Sequence, residues 1–192
     1  RGSSFVPRKT RTSSCTSKRF QKPADERFPV MLELFCRAPE GINLAEGSHL
    51  TPIPIDEAAA SLSAILLDDA YYEFILAGRK EVDGLPWVGE DRLIPLKASA
   101  WLDLGERQAK GEPVDSKNIR KHANDVLRLS QLLVPDVRIE LAPRIAQDLN
   151  LFLDGIEADR TIDPKSLGIN SSVAEMVERI AQAYGLNRRL AT

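Results

Sequence analysis

The sequence predicts an α+β protein in which strands come early and helices fill most of the remaining chain. Residues 28–37 alternate in the manner of a β-strand, with Val30, Leu32 and Leu34 on one face. From residue 68 onwards, apolar residues recur at helical spacing in several long segments. A hydrophobic content of 43% and a charged content of 28% are ordinary for a globular protein.

Bulk composition narrows the classes of function. A chain of 192 residues is long enough for one domain with a sizeable core, or for a domain with a small helical appendage. The net charge of −2 disfavours nucleic-acid binding driven by overall charge, and it leaves a local basic patch open. The two cysteines predict neither a disulfide framework nor a metal site. No apolar run approaches the roughly 18 residues of a membrane span and the N-terminus lacks a signal peptide's apolar core, so we expect a cytoplasmic protein without membrane contact.

Residues 1–27 differ from the rest of the chain. They are basic, rich in serine and threonine, and almost free of apolar periodicity. Such a segment cannot bury enough apolar surface to offset its ordering entropy. We interpret it as a disordered basic tail or an atypical N-terminal segment; an arm that touches RNA is the alternative.

The first predicted strand carries a carboxylate, Glu33, among apolar neighbours. A buried carboxylate needs a cation, a metal ion or several hydrogen-bond donors. One interpretation pairs Glu33 with Arg37 or another base. The other makes it a metal-binding or acid–base group.

The next segments alternate between extended and helical patterns. Residues 51–56 contain two prolines and predict an extended edge or loop, while the apolar run of residues 61–67 fits either class. Residues 68–78 predict a helix that begins with Asp68 and Asp69 as capping acids and ends at Gly78. Residues 82–90 predict a short strand among turns.

A helix is predicted over residues 92–110, and it contains an unusual lysine. Leu93, Ala100, Trp101 and Leu104 form an apolar stripe at helical spacing, and Lys97 falls inside it. An ammonium group on a core-facing stripe costs free energy unless an anion meets it. Lys97 therefore either extends its amine to solvent at the core's edge or points into a cleft at a phosphate or carboxylate.

The C-terminal part predicts three further helices. One begins at Asp115 or Ser116 and continues to about residue 133, and on it Lys121 and Asp125 have the spacing of a surface salt bridge. Residues 137–141 predict either a last short strand or a lead into a helix over residues 143–155. The final helix begins after Ser171 or Ser172. The sequence contains no internal repeat, glycine-rich phosphate loop or Ser/His/Asp arrangement.

Five stretches resemble the AbiEii-like nucleotidyltransferases, relatives of the toxins of type IV toxin–antitoxin systems. They are RFQKP at 19–23, DERFPVMLELF at 25–35, LSAILLDDAYY at 62–72, LIPLKA at 93–98 and DSKNIRKHANDVLRL at 115–129. The resemblance implies a mixed sheet from a polymerase-β-like nucleotidyltransferase fold, followed by a helical C-terminal part. It divides the chain into an incomplete nucleotidyltransferase-like core at 28–135 and a helical part at 136–192.

The resemblance also implies a reaction and residues to perform it. A nucleoside triphosphate held with Mg²⁺ would be attacked at its α-phosphate by an acceptor such as RNA, and an antitoxin protein is a further implied partner. Glu33 matches a metal-binding carboxylate of the catalytic centre. Lys97 matches the family's catalytic helix lysine, which approaches the triphosphate, and Arg107, Lys121 and Asp125 match further nucleotide-binding positions.

One part of the family pattern is not found. Two-metal sites need several carboxylates, and the sequence shows no Gly-Ser turn followed by an acidic pair on a strand. Three functions therefore stay open. The chain is a nucleotidyltransferase, or a truncated or degenerate member that binds a nucleotide or a partner without catalysis. The third alternative is a helical interaction domain in which Lys97 and Glu33 form only a buried ion pair.

Overall fold

The computed structural model describes residues 34–37, 50–52 and 63–188. The chain divides into two compact units, Arg1–Leu67 and Asp68–Thr192. Their strands and helices confirm the α+β class. Helices from both sides of residue 135 pack together in the second unit, and the domain boundaries at residues 27 and 135 stay predictions. The predicted tail at 1–27 and the strand residues 28–33 lie outside the described residues.

The first unit contains a three-stranded mixed sheet. Its strands are β1 (Leu34–Arg37), β2 (Leu50–Pro52) and β3 (Ser63–Leu67), in the order β1-β3-β2. Strand β1 is parallel to β3, while β2 is antiparallel to it. The apolar run whose class the sequence left open is thus the central strand, and Pro52 lies at the end of an edge strand, where a missing N–H does least harm.

The second unit combines a β-hairpin with five α-helices among the described residues. Its elements are α1 (Asp69–Ala77), β4 (Arg79–Val82), β5 (Leu85–Val88), α2 (Glu90–Ala109), α3 (Ser116–Leu129), α4 (Pro143–Ala158) and α5 (Val173–Ala183). Two short 3₁₀ segments, Ser130–Leu132 and Pro164–Leu167, follow α3 and α4. Residues 137–141 form no strand and lead into α4, which settles the alternative left open by the sequence.

Capping residues that the sequence predicts mark where α1 and α5 begin. The Asp68 carboxylate accepts a hydrogen bond from the Tyr71 backbone N–H at 2.9 Å, which confirms it as the cap of α1. Ser172 and Glu175 cap each other's backbone at the start of α5. Between α1 and α2, the predicted single strand is a hairpin. Its turn residues Asp83 and Gly84 both have positive φ, as a tight two-residue turn requires.

The core of the second unit lies where α4 and α5 meet the helices before them. Ile145, Leu149, Phe152 and Leu153 of α4 are completely buried, as their spacing predicts. On α5 the buried residues Met176, Val177, Ile180, Ala181 and Tyr184 match the predicted stripe, and Val173 at its start is only half-buried.

The predicted stripe of α2 is wrong by one position. Ile94, Pro95 and Ala98 are the buried residues, whereas Leu93, Ala100 and Leu104 are half-buried. Helix α2 packs against both α3 and α4, so its contact face is wider than one apolar stripe. Apolar spacing alone therefore could not identify its centre.

Proline 95 lies inside α2 and leaves a helical carbonyl without its usual donor. A proline has no N–H, so it cannot donate to the Asp91 carbonyl four residues earlier. The Tyr184 hydroxyl, at the end of α5, donates to that carbonyl oxygen at 2.7 Å. Burial raises the pKa of Tyr184 well above its usual value, so the hydroxyl keeps its proton. This bond ties the last helix to the start of α2.

Tyr184→Phe tests that replacement. It leaves the Asp91 carbonyl without a side-chain donor, so we expect the free energy of unfolding to fall by about 1–2 kcal/mol. In a Pro95→Ala background the restored N–H donates to the same carbonyl, and Tyr184→Phe should cost about 1 kcal/mol less. Urea denaturation measures both costs; equal costs in the two backgrounds would contradict the replacement.

Trp101 packs directly on the α4 backbone at Gly155. Its ring meets Phe152 edge-on, with centroids 5.3 Å apart, and a Cβ at Gly155 would lie 2.6 Å from the tryptophan Cη2. Gly105 on α2 has open space where its Cβ would be. A side chain at Gly155 would therefore clash with Trp101, whereas a side chain at Gly105 would meet no neighbouring atom.

Gly155→Ala and Gly105→Ala should change stability in opposite directions. Overpacking against Trp101 costs about 1–3 kcal/mol, more than the gain of up to about 1 kcal/mol in helix propensity. Gly105→Ala obtains that gain without a clash. Thermal and urea unfolding of the two variants measure the difference, and a stabilised Gly155→Ala protein would refute the close contact.

Candidate functional site

The structure joins two of the predicted site residues, Lys97 and Asp125. The Lys97 Nζ donates to the Asp125 Oδ2 at 2.9 Å. Each side chain is 23% exposed, so the pair is neither fully buried nor on the open surface. It links α2 to α3, two helices that pack extensively against each other.

Neighbouring buried residues explain where the pair lies. On α2, Ile94 and Ala98 are buried and Lys97 lies at the margin of their face. On α3, Ala123 and Val126 are buried and Asp125 lies at the corresponding margin. An ammonium and a carboxylate at the edge of an apolar contact offset each other's desolvation when they meet. Of the two interpretations of Lys97, the anion-facing one describes the observed contact, and the anion present is a carboxylate.

Lys121 does not form the predicted surface pair with Asp125. It is exposed on α3, one turn before Asp125, whose carboxylate meets Lys97 instead. The tertiary contact replaces the local one because the partly buried carboxylate needs a partner at the helix interface. Lys121 remains next to the pair on the same helix.

Arg107 lies ten residues after Lys97 on α2, a rise of about 15 Å. Its Nε donates to the Glu112 carboxylate at 2.7 Å, and its Nη1 lies 3.9 Å from the Asp103 carboxylate. The hydrogen bond to Glu112 raises the Arg107 pKa above its usual value. Arg107 thus closes the turn after α2, and the structure does not bring it to the Lys97–Asp125 pair.

The metal prediction depends on Glu33, which lies outside the described residues. Within the described part of the chain, no three His, Cys, Asp or Glu side chains come together as metal ligands. A two-metal site needs such a set. The described residues therefore supply no such set, and the Mg²⁺ site that the resemblance implies, with Glu33 as a ligand, stays a prediction.

Other polar contacts join residues that are distant in sequence. The Tyr71 hydroxyl donates to the Asp148 carboxylate at 3.0 Å, and the Arg144 Nε lies 3.3 Å from the same oxygen. Arg188 binds Asp154 and Glu157 on α4. No local motif marks the contacts of Tyr71 and Arg188, since only folding brings their partners together, whereas Arg144 and Asp148 have the i,i+4 spacing of a helix pair. The Tyr71 and Arg188 contacts hold α1 and the C-terminal residues to α4.

A surface cavity of about 370 Å³ lies between residues 133–138 and α5. Charged side chains of both signs line it, among them Arg138, Glu178 and Arg179. None of the predicted site residues Lys97, Arg107, Lys121 and Asp125 lies on its wall. The candidate site is therefore the Lys97–Asp125 pair at the α2–α3 contact, separate from this cavity.

Comparison of the chain with protein-family models, curated proteins and solved structures finds no match. Among the described residues, no helix is both long and apolar enough to cross a membrane.

The Lys97–Asp125 pair should show a measurable coupling energy. We expect Lys97→Met and Asp125→Asn each to destabilise the protein, and the double variant to lose about 1 kcal/mol less than their sum. Urea unfolding of the four proteins completes this cycle. The exposed Glu106–Lys110 pair on α2, changed to Gln and Met, is the matched control, with about 0.3–0.5 kcal/mol expected. Strict additivity for Lys97 and Asp125 would refute the pair.

Proposed function

We propose that this protein is a nucleotidyltransferase-like protein that binds a nucleoside triphosphate through Lys97, which Asp125 positions. The observation that carries the proposal is the contact between two residues of the predicted nucleotide set. They come from separate helices, yet they meet at 2.9 Å.

Lys97 retains capacity for a phosphate ligand. An ammonium has three N–H donors, and the observed contact with Asp125 uses one of them. The side chain is partly exposed, so a ligand at the mouth of the α2–α3 contact could reach it. Lys97 lies beside the buried residues Ile94 and Ala98, where the effective dielectric constant is lower than in water, so its ammonium attracts an anion more strongly than it would in water. Asp125 would then hold the amine in one position for the phosphate oxygens.

Lys121 is the second residue that supports binding. It is exposed one turn from Asp125, so its long side chain could add a charge beside the same phosphates. Arg107 contributes less to the proposal because Glu112 and Asp103 already neutralise it away from the pair. The expected order of importance for nucleotide binding is Lys97, Lys121, then Arg107.

Nucleotide transfer is the further part of the proposal. The resemblance implies transfer to an acceptor such as RNA with Mg²⁺, and it assigns Glu33 as a metal ligand. The alternative is a degenerate member that binds nucleotides or a partner, such as an antitoxin protein, without catalysis. Magnesium dependence of nucleotide binding distinguishes the two.

Lys97→Met should weaken nucleotide binding. Isothermal titration of the purified chain with ATP, GTP, CTP and UTP, each with and without MgCl₂, gives the preferred nucleotide and its dissociation constant. Loss of a charge-assisted contact of about 1.5–3 kcal/mol predicts a rise of at least 10-fold for Lys97→Met. Lys110→Met, which removes an exposed lysine near the end of the same helix, should leave the constant unchanged.

The outcomes separate the alternatives. Binding that requires MgCl₂, together with transfer of labelled nucleotide to RNA, supports the enzyme. Binding that does not require MgCl₂ supports the module without catalysis. Equal binding by Lys97→Met and Lys110→Met, in variants that unfold cooperatively, would refute the role of Lys97.

A further inference from the structure

The outer face of α3 carries a row of exposed cations. Lys117, Lys121 and Arg128 lie at positions i, i+4 and i+11, which places them within one narrow face of the helix. Arg120 is exposed on the flank of the same face. From Lys117 to Arg128 the rise along the helix is about 16 Å. We call these four residues the α3 basic face.

The α3 basic face brings together, on one helix, four cations that lack ion-pair partners among the described residues. Elsewhere in the described residues, cations on the hairpin, α2, α4 and the C-terminal segment lie within 4 Å of a carboxylate; they are Arg79, Lys80, Arg92, Lys97, Arg107, Lys110, Arg144 and Arg188. None of the ion pairs in this part of the chain includes a residue of the α3 basic face. Its positive charge is therefore available to an external anion.

Two further exposed cations lie on the segment after α4, which contacts α3. They are Arg160 and Lys165, and they are without ion pairs among the described residues. The Asp159 carboxylate lies near enough to Arg120 for its pKa to be lowered by that charge, after larger effects from hydrogen bonds with Thr161. Asp159 therefore accepts hydrogen bonds from Thr161 within its own turn, and it forms no close ion pair with Arg120.

The carboxylates of α3 itself already have structural partners. Asp115 accepts a hydrogen bond from the Lys117 backbone N–H as the helix cap, and Asp125 is paired with Lys97 on the opposite flank. The acids do not lie between the exposed cations. The face therefore presents an uninterrupted row of positive charge, although the whole chain has a net charge of −2.

The α3 basic face lacks what a protein partner would need. Protein interfaces bury an apolar core, with aromatic residues enriched at its centre. The large apolar side chains that are exposed in the described residues lie on the hairpin, on α1 and α4, in the loop before α4 and, as Leu132 alone, in the 3₁₀ segment that follows α3; none of them lies on α3 itself. Polar Asn124 lies among the cations instead. Repeated phosphates match a row of lysine and arginine without apolar contact.

We propose that the α3 basic face binds the phosphate backbone of single-stranded RNA. We name RNA rather than DNA because RNA is the acceptor in the proposed function, so this choice rests on that proposal. The choice of this surface rests on the charges described above. Asp125 lies on the flank of the same helix, so a strand on this face would pass beside the Lys97–Asp125 pair. The face thus positions an acceptor strand, while Lys97 binds the nucleotide.

The test measures binding of a fluorescein-labelled oligouridylate to the full chain by anisotropy, between about 50 and 200 mM salt. The variant Lys117→Gln/Arg128→Gln removes two cations of the face without touching the predicted nucleotide residues. We expect at least a 10-fold loss of affinity at the lowest salt concentration. The slope of log affinity against log salt should fall in magnitude by about 1.4, the contribution of two phosphate contacts on a single strand.

The control variant is Arg138→Gln/Arg179→Gln, which removes the same charge from the wall of the cavity between residues 133–138 and α5. These two cations also lack ion pairs among the described residues. It should retain affinity within about 2-fold. Urea unfolding confirms that both variants fold, since Arg128 also lies favourably at the end of α3.

Four results would overturn the proposal: no RNA binding by the unchanged chain, equal losses in the two variants, equal or tighter binding of duplex DNA, or tighter binding of polyglutamate than of RNA. Lys97→Met separates this proposal from the function proposed above. It should lose nucleotide binding and keep RNA binding, and the Lys117/Arg128 variant should show the reverse. If one of the two proposals fails its test, the result for the other proposal still stands.

Discussion

The packing of α2 against α3 on one side and α4 on the other is the constraint on which the second unit depends. Each contact requires its own adjustment. Gly155 leaves room on α4 for the Trp101 ring, and the Tyr184 hydroxyl replaces the hydrogen bond that Pro95 cannot make. Because Tyr184 directly follows α5, its hydrogen bond to the carbonyl that Pro95 leaves without a donor holds the last helix against the start of α2. A helix with neighbours on two sides has little freedom to rotate, and this rigidity gives its charged residues fixed positions.

The same packing accounts for the Lys97–Asp125 pair. Once Ile94 and Ala98 face the core, Lys97 must lie at the edge of the α2–α3 contact, and a carboxylate on α3 is the least costly partner there. Structure and function use this pair differently. For stability, the two charges only need to neutralise each other. In the nucleotide binding that we propose, Asp125 holds an amine that still has unused donors, so the pair would stabilise the helices and bind a phosphate at once.

Local signals predicted most of the described helices, because caps and apolar spacing are properties of short segments. Asp68, Ser172 and the buried residues of α4 follow directly from them. The α2 stripe was predicted one position away, since two neighbours widen its buried face. Lys97 could be recognised from the sequence as a misplaced charge, but its partner could not, because Asp125 lies 28 residues later and its local spacing favoured Lys121. The contact between Tyr71 and Asp148 spans 77 residues and has no local signal.

The distribution of charge within the chain matters more for function than its sum. The net charge of −2 counts every carboxylate equally. In the described part, however, carboxylates often serve as helix caps or ion-pair partners, as Asp115 and Asp125 do. Acids used in this way do not neutralise the exposed side of α3, where the cations have no such partners. Helix α3 is therefore amphipathic in two senses: its inner face is apolar and its outer face is cationic. Lys121 belongs to both the nucleotide and the RNA proposal, whereas Lys97 is specific to the nucleotide and Lys117 and Arg128 are specific to the RNA, so different variants separate the two proposals.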